Sequence, residues 1–277
     1  GWIPASSASV DYATGANLPI DIVVESTART LLVWGGYSAR VNLLTNDGTT
    51  TLDWADVVLA AETEAWSELG GSSGFVNLAL LLPDRTMGGL ASLFSAAATF
   101  NDSATITNGA VRDSDFYAWL EPVINSVQNF NTIGSDIAQF TARGGTNSVD
   151  IAIGPEVQWL NGLDGIIRNA EMQFSYPAYN VIFDFPVAMW EDAATTSDER
   201  AGVRAFGEFL QGTGQQQNAV NFGLRPITGN PPATAPLFVA GAEYGIQIDA
   251  PITESVTSPS ATDVQSLLQW FGNAQRR

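Results

Sequence analysis

Apolar runs of strand length alternate along this chain with amphipathic stretches of helical length, a pattern that predicts an α/β architecture. Residues 20–25, 75–82, 149–153 and 181–185 read as strands, each rich in branched or aromatic side chains and bounded by Gly, Pro or polar clusters. The near-continuous apolar character of 75–82 predicts burial on both faces. Within 86–100, Leu90, Leu93, Phe94 and Ala97 fall on one helical stripe. Residues 115–128 and 134–141 read as further helices, and 156–160 opens a short one. Thr196 with Glu199 three residues on predicts a capping box for a helix through Leu210, and Ser260 with Asp263 a weaker cap of the same kind. The six prolines of 223–259 predict an ordered loop with a short strand at 237–240. No internal repeat or low-complexity linker interrupts the pattern, so two lobes joined by short strands are expected.

Composition narrows the chemistry. The 277 residues include 29 acids and 11 bases, all of them arginine, for a formal charge of −18 with no histidine, cysteine or lysine. Without these three residue types there is no Ser-His-Asp triad, thiol nucleophile, imidazole base, Schiff-base site or Walker-type phosphate loop. Charged residues are 14% of the chain, against roughly 25% in typical soluble domains, so Ser, Thr, Asn, Gln and Gly must cover the surface. An acidic surface repels phosphate, which excludes nucleic acid and anionic lipid as partners. No apolar run approaches the roughly 20 residues of a membrane span, so no direct membrane insertion is expected. Low charge, abundant hydroxyls and absent thiols favour an extracytoplasmic setting: secreted, periplasmic or attached to the cell surface. Binding is favoured over catalysis; no catalytic residue, cofactor or metal is expected.

Several motifs carry bland readings. Gly70-Gly71-Ser72-Ser73-Gly74 fits the G-x-S-x-G nucleophile pattern, but a strand follows it and no histidine exists, so it reads as a loop. Asp47, Asp53 and Asp56 lack EF-hand spacing and read as a turn with Asp53 near a helix start. Glu62 with Glu64, and Glu191 with Asp192, read as polar surface. Pro83-Asp84-Arg85-Thr86-Met87-Gly88-Gly89 is more informative, because it lies where a buried strand meets a helix N-terminus. Ligands settle at such strand ends, where unpaired N–H groups point outward. Thr86 can cap that helix or contact a ligand, and Gly88 and Gly89 allow close approach of a ligand or another backbone. Ser6-Ser7 and Pro155-Glu156-Val157-Gln158 hold similar positions after strands. Three such loops could line one cleft.

Trp2-Ile3-Pro4 with Ser6-Ser7, Leu18-Pro19-Ile20-Asp21-Ile22-Val23-Val24, Leu52-Asp53-Trp54-Ala55-Asp56, Val76-Asn77-Leu78-Ala79-Leu80 through Thr86, and Val149-Asp150-Ile151-Ala152-Ile153 form an ordered series of landmarks. Tyr176-Pro177-Ala178-Tyr179-Asn180-Val181-Ile182, Ala205-Phe206 and Phe222-Gly223-Leu224-Arg225-Pro226 complete it. The series resembles a family of bacterial extracytoplasmic solute-binding proteins with the type II periplasmic-binding fold. It is most similar to the binding-protein regions that precede a von Willebrand factor type A domain in some surface proteins, and distantly similar to molybdate-type binding proteins. The resemblance implies one lobe of residues 18–185, including hinge-crossing strands at 18–25 and 181–185, and a second lobe of 1–17 with 186–277. It implies that the second lobe is incomplete at its start, because family members carry a strand–helix–strand unit before the Trp-Ile-Pro landmark. Ligand contacts would come from Ser6, Ser7, Arg85, Thr86, Gly88, Gln158 and Tyr179. The implied function is capture of a small molecule or oxyanion for uptake or sensing, with a membrane transporter as partner. The alternative is a structural subunit of a cell-surface assembly, its second lobe completed by a partner chain.

Overall fold

The computed structural model describes residues 1–107, 109–250 and 255–275. The chain opens with α1 (Ser7–Gly15), β1 (Ile20–Val24), β2 (Thr30–Tyr37), α2 (Ser38–Leu44), α3 (Trp54–Thr63), β3 (Leu78–Leu80) and α4 (Met87–Phe100). It continues through α5 (Ser114–Asn125), α6 (Phe130–Ile133), α7 (Ile137–Gly144), β4 (Ile151–Pro155), α8 (Glu156–Ile166) and β5 (Met172–Ser175). Then come β6 (Ile182–Phe183), β7 (Val187–Trp190), α9 (Ser197–Gln211), α10 (Thr213–Asn221), α11 (Pro236–Ala242) and α12 (Ala261–Ala274).

The larger sheet runs β3-β4-β2-β5, with β3 and β4 parallel, the other neighbours antiparallel, and β6 paired to the first residues of β2. Its centre is β2, all eight residues of which are buried. Two adjacent glycines make that burial compatible with large neighbours. A Cβ on Gly35 would lie 2.9 Å from Phe174 and 3.0 Å from Trp159, and one on Gly36 would lie 2.6 Å from Val41. The sheet and its flanking helices enclose most of the core, including Trp34, Trp54, Trp66 and Trp159. Of the expected strand 75–82, only Leu78–Leu80 pairs as β3; Phe75 is exposed.

A second sheet holds β1 and β7, antiparallel, with Trp2 bridged to Ala188 on the far edge of β7. Helix α9 lies on it and buries only Gly207, whose missing side chain lets the helix meet Val24 and Val187. Two segments connect the sheets: residues 25–29, between β1 and β2, and residues 184–186, between β6 and β7. They touch where the backbone N–H and hydroxyl of Thr27 both donate to the carbonyl of Phe185, at 3.1 and 2.7 Å.

The division expected from sequence changes in two places. β1 belongs with β7 in the smaller sheet, so the crossing falls after it. The chain beyond α10 also leaves the smaller unit: Arg29 and Arg225 exchange backbone hydrogen bonds at 2.8 and 2.7 Å. From there α11 packs on α8, and α12 packs on α1, α5 and the turn Ala110–Arg112. Residues 237–240 lie in helix α11 rather than in the expected strand, with Pro236 at the helix start where its missing N–H costs nothing. Among the described residues no helix is long and apolar enough to cross a membrane.

Candidate functional site

Helix α1 lies between the two sheets' units, packing on β1 and on α12. Its first turn faces α4 and β6 across a groove of about 510 Å³. Ser6, Ser7 and Asp11 line one wall, Phe94, Ile182 and Asp184 the other, and residues 255–258 close one side. Among the described residues the lining therefore carries five hydroxyls and two carboxylates, and no basic side chain. Asp11 and Asp184 repel one another: burial, then the Asp184 charge, raise the Asp11 pKa above its ordinary value.

The helix N-termini around this junction are closed by the chain's own groups. Asp184 Oδ1 accepts the Ser7 N–H at 2.7 Å, and the Ser6 hydroxyl accepts from Ala8 N at 3.3 Å. At α4, the Thr86 hydroxyl accepts from Gly89 N at 3.1 Å and donates to Leu82 O at 3.0 Å. At α8, the Thr30 hydroxyl accepts from Val157 N at 3.1 Å, and the first residue, Glu156, carries its own carboxylate beside the helix start. Glu156 is fully buried and meets Arg225 through two bonds of 2.7 Å, while the Tyr176 hydroxyl also donates to it. Burial, and next the Glu156 charge, push the Tyr176 phenol far above its ordinary range, so it remains a donor. Positive helix ends that would attract an external anion are thus engaged internally.

The residues predicted from sequence divide accordingly. Ser6 and Ser7 line the groove. The loops that carry Thr86 and Gln158 do approach this region: the Ser9 hydroxyl contacts the Met87 sulfur at 3.5 Å, and Gly88 lies against Pro155. Their side chains are occupied elsewhere. Gln158 accepts from Ile137 N at 2.9 Å and donates to Ser135 O at 3.0 Å, closing the start of α7. Gly88 has no side chain because Leu81 and Pro155 fill that space; a Cβ would fall 2.8 Å from Leu81. Arg85 is exposed outside the groove. The Tyr179 hydroxyl donates to Asp102 at 2.7 Å, beyond the C-terminal end of α4 and so a full helix length from Thr86. Thr86→Ala should lower stability by about 1 kcal/mol, the usual value of an N-cap, in urea unfolding and leave solute affinity unchanged; a ligand contact would weaken binding as well.

Asp53 and Asp56 form the capping box of α3 rather than a metal loop. Among the described residues no group of three or more acidic side chains is arranged to hold a metal ion. Sequence reasoning missed Asp11, Asp184 and residues 255–258. Asp184 had a signal, being a lone acid between Phe183 and Phe185, and Asp11 follows Ser7 by one helical turn. Residues 255–258 had none, since they come from a stretch remote in sequence.

No family model matches this sequence, and no curated protein matches it by sequence. Solved structures do match in fold. Ferric iron-binding protein A of Mannheimia haemolytica, in an open conformation, aligns with a TM-score of 0.58 at 13% identity, over 99% of this chain and 81% of that one. The periplasmic binding protein AfuA of Actinobacillus pleuropneumoniae, with fructose-6-phosphate bound, gives 0.59 at 12% identity over 99% and 82%. A Streptococcus pneumoniae solute-binding protein in complex with the blood group A-trisaccharide gives 0.54 at 11% identity over 92% and 70%. The chain has the α/β fold of two-lobed, type II periplasmic solute-binding proteins.

Proposed function

We propose that this chain is an extracytoplasmic solute-binding protein, without enzymatic activity, that captures a small polar molecule in the groove between α1 and the α4–β6 wall and presents it to a membrane transporter. The observation that carries this reading is the groove's position. It lies beside the 184–186 crossing, so a molecule seated there touches both units and favours their closed arrangement. The fold shared with proteins that hold iron, a sugar phosphate and a trisaccharide supports it. The landmark series resembles the binding-protein regions that precede von Willebrand factor type A domains in some surface proteins, in line with this reading.

The lining selects among solute classes. Two carboxylates without a cation repel an oxyanion, and the self-closed helix ends offer it few donors. Molybdate-type capture therefore has no support in this lining. Hydroxyl-rich walls with carboxylate acceptors suit a neutral polyol or an organic amine. Thermal unfolding against sugars, amines, amino acids and oxyanions tests this. A matching solute at 100 times its Kd should stabilise by about 2.7 kcal/mol, a rise of about 5–10 °C, with sulfate, phosphate and molybdate inert.

The pH response follows from Asp11. Its raised pKa means that its charge is lost earlier than usual as pH falls. Affinity for an amine should therefore weaken on acidification through that range, while affinity for a sugar changes less. A flat thermal response to the whole panel would overturn the proposal.

A further inference from the structure

We infer that Phe185 is a strained switch residue. Its backbone is held in a left-handed conformation by the clasp on Thr27, and opening of that clasp lets it relax and turns the smaller sheet against the larger one. The inference concerns the crossing itself and needs no solute.

The strain is local. Phe185 has a φ of +44°, a region that bulky L-residues rarely occupy. The other described non-glycine residues with positive φ are asparagine, aspartate or glutamate. Pro186 follows, and a residue before proline is pushed toward extended backbone, with φ about −120°. Two separate preferences therefore oppose the observed conformation. Glycine or asparagine would adopt it more readily, but without the ring, which packs against the core.

A small set of bonds maintains it. The Phe185 carbonyl accepts both the N–H and the hydroxyl of Thr27, at 3.1 and 2.7 Å, and its N–H donates to the Ala5 carbonyl at 3.3 Å. Conformations of this kind persist only where the surrounding structure over-determines them, and they concentrate at switch regions. Thr27 is itself fixed, since Gln216 donates to its carbonyl at 2.8 Å and Gln211 to that of Ser26 at 2.8 Å. Of the two crossings, 25–29 is therefore the anchored one and 184–186 the one that turns.

Position gives the strain its consequence. β6 ends at Phe183 on the larger sheet, and β7 begins at Val187 on the smaller. Rotation at Phe185 reorients β7 and, through it, β1. The β1–β7 register shifts between Ile22 and Val24, beside Val187, so the strand pair is already irregular where the rotation enters it. The neighbouring Asp184 accepts the Ser7 N–H at 2.7 Å, which links the start of α1 to the same point.

The test exploits the absence of cysteine. Gln139→Cys on α7 and Glu208→Cys on α9, both exposed, place one spin label on each unit, and pulsed electron resonance records their separation. Hydrogen exchange follows the Thr27 N–H. Phe185→Gly, Phe185→Asn and Phe185→Ala all lose the ring, so their comparison isolates the backbone: Gly and Asn tolerate a positive φ and Ala does not. Phe185→Leu keeps an apolar side chain and supplies a second strained reference should the alanine variant not fold. Thr27 exchange should be about five-fold or more slower in the Gly and Asn variants than in Ala or Leu, and their label separations should be more narrowly distributed. In every variant Thr27 should exchange at least about ten-fold faster than the amides of buried β2, because the clasp opens without unfolding. Exchange in the Ala or Leu variant as slow as in Gly and Asn would show that Phe185 carries no strain. Identical label separations would show that the strain does not reach the arrangement of the units, and Thr27 exchanging only together with β2 that the clasp opens only by unfolding. Each of these outcomes overturns the inference.

Discussion

Replacing Glu156 by alanine should destabilise the chain by about 3–5 kcal/mol, the range for breaking a buried ion pair. Glu156 and Arg225 are 0% and 2% exposed and meet through two parallel bonds of 2.7 Å. Burial works against the arginine's charge, but its bonds and attraction to Glu156 outweigh that and hold its pKa above the ordinary value. Without the carboxylate, the guanidinium keeps only neutral partners: the carbonyls of Gln247 and Ile248 at 2.6 and 2.9 Å, and the Tyr176 hydroxyl at 3.3 Å. An uncompensated buried charge is the main penalty, so removing both charges should recover much of it. Glu156→Leu combined with Arg225→Met, placed in a double-mutant cycle with the single changes, should show strongly favourable coupling in urea unfolding. A loss below about 1 kcal/mol for Glu156→Ala would mean that water reaches the guanidinium.

Gly89→Ala should cost about 3 kcal/mol, at the upper end for overpacking. The new Cβ would press on the Leu81 carbonyl oxygen and lie 2.7 Å from both the Leu82 carbonyl carbon and the Pro83 nitrogen. These are backbone atoms of the β3–α4 connection and cannot turn aside as a side chain would. The start of α4 must shift, and with it the wall that faces α1. Equilibrium unfolding should show the loss, and hydrogen exchange should locate it at the first turn of α4. Unchanged stability would show that this connection yields freely.

Legibility in the sequence followed the physics of each element. Helices α4, α9 and α12 declared themselves through apolar stripes and caps, and the structure contains the Thr196–Glu199 capping box as read. The central strand did not. Gly35-Gly36 in β2 resembles a turn in one dimension, whereas in three dimensions it makes room for Trp159, Phe174, Val41 and Ile151. The proline-rich stretch concealed α11 because its packing partner, Leu160 of α8, lies far away in sequence. At the site, the hydroxyls of residues 6 and 7 were visible as a post-strand loop. Which helix starts the chain would close with its own side chains was not, because those partners come from distant segments: Asp184 for α1 and Thr30 for α8.

The clasp around Thr27 bears on how the molecule moves. Gln216 of α10 donates to Thr27 O at 2.8 Å and accepts from Ile227 N at 2.9 Å, and Gln211 of α9 donates to Ser26 O at 2.8 Å. These tethers lie next to the Arg29–Arg225 pairing, so one end of the smaller unit is pinned to the larger. A rocking of the smaller unit would therefore be least at residues 26–29 and would grow along β1 and β7 toward the Ile20–Trp190 end of the strand pair. Like a lever held at one end, the strand pair would carry a small turn at the tethers into its widest sweep beside Trp190.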